Sequence, residues 1–274
     1  MNDMFYNCNS LTSLDVSKFD INKVYDMDTM FSNCTSLKSL NLLSFVGVNV
    51  GRMESTFKDC TQLTSLDLSN FVGKPSYMTS IFKNCFNLET LEIPKFVGEE
   101  ALYPYSMFEN CYSLKSLNLQ SFTMKSAINI DSMFRNCYSL TSINLSNFST
   151  DRLITLSGMF ENCLKLTSLD LSHFTTTKVT DMSFMFNNCT ELRFLKVNFN
   201  TEKVKDMQYM FSNCTTLTSL DISSFNTEIC QNFENIFEND AELHLTIDSR
   251  ICSSLINHIP DYVNVTDLKE NNNY

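Results

Sequence analysis

The chain has no tryptophan and only five glycines, four prolines and three histidines in 274 residues. So few glycines and prolines exclude collagen-like, linker-like and proline-rich disordered chains. His173, His244 and His258 stand apart from one another, and there is no G-x-S-x-G, H-E-x-x-H, phosphate-binding loop or dinucleotide fingerprint. No enzyme is expected, and no cofactor or metal. Cations are scarce too: 20 Lys and Arg stand against 31 Asp and Glu, a net charge of −11 that repels nucleic acid phosphates and anionic headgroups. No apolar run approaches the roughly 18 residues of a membrane span. Met1 to Ser10 lack the basic start and apolar stretch of an export signal.

What is abundant is periodic. Nine of the eleven cysteines, from Cys8 through Cys34, Cys60 and so on to Cys214, recur every 25 or 26 residues, and no C-x-x-C occurs. That spacing marks a repeat, not a disulfide framework or a zinc site. Stacked thiols inside such an array serve as small apolar fillers, though neighbours on adjacent coils also invite a redox or metal reading. Rows of free thiols suit a reducing compartment, or an organism that makes few disulfides, better than an oxidising exterior.

Phenylalanine keeps the same period twice over. One series runs Phe5, Phe31, Phe57, Phe82 and onward to Phe237, the other Phe19, Phe45, Phe71, Phe96 and onward to Phe225; together they hold 19 of the 23 phenylalanines. Between cysteine and the second phenylalanine lies L-x-x-L-x-L, as in Leu166-Thr-Ser-Leu169-Asp-Leu171, whose final alternation has the period of a strand with one buried face. Before the cysteine, Val179-Thr-Asp181-Met182-Ser-Phe184-Met185-Phe186 spaces apolar residues three and four apart behind an Asp. That spacing predicts one or two turns of helix, N-capped by Asp181. An Asn precedes nearly every ladder cysteine (Asn7, Asn33, Asn84, Asn110, Asn136, Asn162, Asn188, Asn213) and suits a left-handed stop.

The expected fold is therefore an α/β solenoid: a right-handed leucine-rich-repeat horseshoe or rod of about ten coils, with a parallel sheet on one face and short helices on the other. Residues 1–240 form the array, which starts in mid-repeat and reads as part of a longer protein. Residues 241–274 read as a C-terminal cap and polar tail, with Asp240 where a cysteine is due and a helix from Asp248 through Ile259.

The pattern S-L-T-S-L-D-L-S-x-F-x-T-x-x-V-x-D-M-x-x-M-F-x-N-C, best seen from Thr167 to Cys189, resembles the bacterial surface protein 26-residue repeat of the BspA-like leucine-rich repeats. The resemblance extends over residues 1 to about 240 and implies a cell-surface or secreted protein, in some relatives a lipoprotein, that adheres to macromolecules. It implies no catalytic residues. In coils two to six the Asp before the Met is replaced by Arg52, Tyr77, Tyr103, Asn129 and Thr155.

Three surface features could meet a protein or glycan partner. Outward strand positions form a serine row beside Asp15, Asn41, Asp67, Glu92, Asn118, Asn144, Asp170, Lys196 and Asp221. This is either a binding face, for a basic or sugar-bearing partner or for calcium, or simply the polarity any exposed strand needs. One coil breaks it with Arg193, Phe194 and Lys196, an interface-like trio, although Lys196 between Asp170 and Asp221 also reads as local charge balance. Phe86, Tyr112, Tyr138 and Leu164 follow successive cysteines as an apolar stripe that either marks a partner site or packs locally. The expected state is a monomer at the cell surface, or else a cytoplasmic scaffold of the same fold.

Overall fold

The computed structural model describes residues 1–93, 101–120 and 122–269. Each repeat contributes one three-residue strand: β1 Ser13–Asp15, β2 Ser39–Asn41, β3 Ser65–Asp67, β4 Thr90–Glu92, β5 Ser116–Asn118, β6 Ser142–Asn144, β7 Ser168–Asp170, β8 Phe194–Lys196 and β9 Ser219–Asp221. After them come β10 His244–Ile247 and β11 Asn264–Asp267. The strand pairings among the described residues are parallel and in register, joining β1 to β2, β3 to β4, β5 to β6, β7 to β8, and β9 through β10 to β11. There are about nine such coils. Numbering each coil by its strand, the middle residue of each of β1 to β9 points inward and the flanking two point out.

The face opposite the strands is not helical, which corrects the expectation. Its backbone alternates. In coil 1 the N–H groups of Met27, Thr29, Phe31 and Asn33 donate across to the carbonyls of Arg52, Glu54, Thr56 and Lys58 on coil 2, at 2.8–3.0 Å. Those of Met30, Ser32 and Cys34 donate back three residues within the coil. An α-helix would keep every N–H for its own carbonyls four residues back. Here a left-handed residue at Thr29 and again at Asn33 turns alternate peptide planes toward the neighbour, and the pair recurs four residues apart in every described coil. Two such turns set Met27, Met30, Phe31 and Cys34 inward at the same spacings as a helix, which is why the sequence pattern misleads. The Asp that reads as a helix cap instead accepts the N–H two residues on, as in Asp181 to Ser183 and Asp206 to Gln208. Its position forms two further files of parallel bridges, Asp26 through Arg52 to Tyr77, and Asn129 through Thr155, Asp181 and Asp206 to Asn232.

The asparagines before the cysteines do take the left-handed conformation, with φ of 60–64° at all eight. Their amides also link coil to coil: Asn110 donates to Asn84, Asn136 to Asn110, and Asn162 to Asn136, each at 2.6 Å. Asparagine thus supplies both a backbone geometry and a donor–acceptor ladder, a combination glycine cannot offer.

The interior is a stack of like on like. Phe31, Phe57, Phe82, Phe108, Phe134, Phe160, Phe186 and Phe211 are fully buried. Successive rings stand 5.4–5.9 Å apart and nearly parallel. In the second series Phe45, Phe71, Phe122, Phe148, Phe174, Phe199 and Phe225 are buried and Phe19, at the open end, is half-buried, with Phe96 outside the described residues. Each ladder thiol donates to the phenylalanine carbonyl one coil back, from Cys34 on Phe5 to Cys214 on Phe186, at 3.1–3.3 Å. Cysteine is thus a small apolar residue that still carries a weak donor for a buried carbonyl.

The C-terminal end differs from its expectation in one respect. β10 continues the strand file at His244–Ile247, but the expected helix after Asp248 reduces to a single 3-10 turn, Ile256–His258. Asp248 accepts the N–H of Arg250 instead. Asp240 occupies the last cysteine position with 1% of its surface exposed. Burial pushes its carboxyl up to about 8, the backbone of Cys214 offsetting only part of that.

A folded-state pKa raised above the unfolded one means that folding takes up a proton, so this group's stabilising contribution is complete below about pH 4 and disappears as pH rises through about 8. Urea denaturation at pH 5 and pH 9 should therefore show wild type gaining on Asp240→Asn as pH falls, by a few kcal/mol between the two. An identical pH dependence in both proteins would refute the buried acid.

Candidate interaction surface

The strand face is polar for an internal reason. Asp15, Asn41, Asp67, Asn118, Asn144, Asp170 and Asp221 each accept the N–H of the residue two further on, at 2.8–3.2 Å. The row thus closes the turn that leaves each strand. Hydrogen bonds from Ser17, Ser69 and Ser172 hold Asp15, Asp67 and Asp170 below the ordinary carboxylate range. Among the described residues no three acidic, histidine or cysteine side chains are grouped to hold a metal ion.

Coil 8 is the exception. Phe194 stands 56% exposed on β8, opposite Ser168 of β7. Lys196 lies opposite Asp170, with Nζ 3.7 Å from its carboxylate, both side chains more than half exposed. Such a pair stabilises by well under 1 kcal/mol, so the lysine is not there to hold the fold. Coil 8 is also one residue shorter after its strand, three positions from Lys196 to Phe199 where four separate Asp170 from Phe174, so the turn that the acceptor closes in neighbouring coils is absent here. Arg193 is exposed alongside, its N–H donating to the Thr167 carbonyl at 3.0 Å. Asp221 follows on β9.

The aromatic stripe forms at the corner leading into the strands of coils 4 to 6. The rings of Phe86, Tyr112 and Tyr138 stack at 4.8 Å, tilted by 5° and 12°. Phe86 and Tyr112 are half-buried and Tyr138 is 36% exposed. Each ring covers its neighbour's face, leaving edges to solvent. The stripe and the Phe194 group lie on different coils and form two separate features.

Three groups escaped sequence reasoning. A lateral row of alternating charge pairs Lys83 with Glu109 at 2.6 Å and Arg135 with Glu161 at 2.9 Å, tying coil to coil. Arg52 bridges Asp28 at 2.6 Å and Glu54 at 2.8 Å while lying 4.3 Å from the Tyr77 ring centre. Exposed valines and tyrosines also gather on the edge where the chain rises from the strands to the opposite face. The replacement of Asp by Arg52 and Tyr77 was a signal for the last two.

Short parallel strands in register, leucines inside them and a repeat of 25–26 residues define a leucine-rich-repeat solenoid. Within that class, the chain belongs to the family described as "Mycoplasma protein of unknown function, DUF285", whose profile matches residues 1–111, 104–195 and 155–271. With the spacing held through the array, this bears out the resemblance to bacterial leucine-rich surface-protein repeats. No curated protein matches. Among solved structures, the chain is 15% identical to a leucine-rich cell surface protein of Faecalibacterium prausnitzii A2-165, covering 98% of this chain and 76% of that one, with a TM-score of 0.44. It is 20% identical to a chain of the Toll–Spatzle complex of Drosophila, covering 86% and 32%, with a TM-score of 0.46. A leucine-rich repeat protein of Eubacterium ventriosum is 14% identical, covering 86% and 78%, with a TM-score of 0.40.

All eleven cysteines are free and ten are buried. Burial pushes the thiols of Cys34 up to about 11 and of Cys85 and Cys189 to about 12, so the reactive thiolate is suppressed. A thiol reagent at pH 8 should label at most the half-buried Cys8 in the native protein and all eleven after unfolding without reductant. Persistent labelling of fewer than about nine after unfolding would reveal disulfides.

Proposed function

We propose that this protein is a non-catalytic binding solenoid that engages a partner protein through its exposed strand face, at the surface of the cell that makes it. The observation that carries the reading is coil 8. Its two outward strand positions leave the hydroxyl-and-carboxylate pattern for Phe194 and Lys196, and the exposed Lys196–Asp170 pair adds little to the fold in return. A large exposed aromatic beside Arg193 and Lys196 is the composition of an interface anchor. Asp170 and Asp221 give that anchor an acidic border. Constant register supports an extended partner, because a long ligand meets the same backbone spacing at every coil. The stacked Phe86, Tyr112 and Tyr138 favour protein over glycan at the corner, since their ring faces, which a sugar would need, cover one another. Surface location is supported by the family resemblance. No helix among the described residues is long and apolar enough to cross a membrane.

A second reading, an intracellular scaffold, is favoured by the eleven free cysteines. Biotinylation of intact producing cells with a membrane-impermeant reagent separates the two: labelling of this chain supports the surface, and labelling only after lysis supports the scaffold.

For the binding face, Phe194→Ser with Lys196→Asp restores the residues that neighbouring coils carry. Affinity for a captured partner should fall by about tenfold or more, in the range of one lost aromatic anchor. An unchanged Kd in a double variant that melts at the wild-type temperature would eliminate coil 8 as the contact.

A further inference from the structure

Exposed apolar side chains also gather away from Phe194. On the rising edge of coils 1 to 3, Tyr25, Leu43, Val46, Val48, Val72 and Tyr77 are each 38–59% exposed. They are contiguous through the backbone: Val72 N–H donates to the Val46 carbonyl at 2.8 Å, and Asn70 beside it reaches the Leu43 carbonyl at 2.9 Å. The fold does not demand apolar residues here. In the register of Val46, later coils carry Thr175, Asn200 and Asn226; in that of Val48 they carry Asp151, Thr177, Glu202 and Glu228. The same backbone is built with polar side chains four times over, so the valines of coils 2 and 3 answer to something outside the chain.

Charge on this edge also differs from the rest of a protein of net charge −11. Lys18, Lys23 and Lys74 are exposed around the patch. Asp20, the nearby acid, is engaged with the N–H of Asn22 at 2.9 Å. Asp26, Asp28 and Glu54 surround Arg52, itself laid over Tyr77. An apolar centre with an arginine–tyrosine contact and a basic fringe is complementary to an apolar segment bordered by carboxylates.

We propose that the rising edge of coils 1 to 3 is a second docking surface, which takes an acidic, apolar segment of a partner protein. This deepens the protein-binding reading and uses residues independent of coil 8. A lipid surface is the alternative occupant, and the vesicle measurement below separates the two.

The test uses the full chain and a fluorescent 12-residue peptide of alternating Glu and Leu, with a Lys and Leu peptide as control. The acidic peptide should bind and the basic one should not. Val46→Thr with Val48→Asp and Val72→Thr, all residues that later coils carry in this register, should weaken binding at least tenfold without loss of Tm. Lys18→Gln with Lys23→Gln and Lys74→Gln should weaken it and flatten its salt dependence. Phe194→Ser with Lys196→Asp should leave it unchanged, so failure here and failure at coil 8 are separable. Equal binding of both peptides, or no effect of the valine variant, overturns the proposal. So does binding to phosphatidylcholine–phosphatidylglycerol vesicles, or a dimer in sedimentation, that the same valine variant abolishes.

Discussion

Every coil of this protein leaves its backbone unfinished. On the face opposite the strands, alternate N–H groups find their acceptor only on the following coil, and the strands themselves are three residues long. A buried N–H without an acceptor is destabilising by about 1–3 kcal/mol, and one coil would strand several at once. No coil is a folding unit. Repetition is thus the condition under which the backbone can be satisfied at all. The side-chain ladders follow from the same geometry: once coils are in register, identical residues must meet themselves, and only residues that tolerate self-contact can recur. Phenylalanine stacks on itself, an asparagine amide donates to the next asparagine, and a thiol reaches back to a carbonyl.

That logic explains what could be read from the chain without coordinates. The cysteine, phenylalanine and leucine periods identify the repeat because inward positions admit few residues. The left-handed asparagines were legible for the same reason, since at that φ a side chain is costly and asparagine is among the few tolerated. The apparent helix was not decipherable. Met182, Met185, Phe186 and Cys189 have spacings shared by a helix and by two successive turns, and the deciding feature is which coil receives each N–H. That is a relation between residues 25 or 26 apart, which no local window contains. Serine, tyrosine and phenylalanine at the first left-handed position, as at Ser132, Phe184 and Tyr209, gave no hint of it.

Surfaces were legible only where they broke a pattern. Phe194 and Lys196 announced themselves by replacing Ser and Asp, and the structure sets them outward on β8. The stack of Phe86, Tyr112 and Tyr138 follows from register alone. The rising edge stayed hidden because Val46 and Val72 directly follow the core phenylalanines Phe45 and Phe71, and nothing in the pattern marks them as exposed. Only exposure separates Val48 from Val50 two positions later, which is buried. Arg52 and Tyr77 likewise read as a failed cap until the bridge file gave their position a purpose.

The division of labour within each strand has a consequence for how such a protein diversifies. The third residue is tied to the turn that follows, and its carboxylate or amide is spent on the N–H two residues on. The first residue makes no such commitment, and serine gives way to phenylalanine at 194 with the strand pairing intact. A substitution at the first position can therefore change the face a coil presents while the architecture beneath it stays the same.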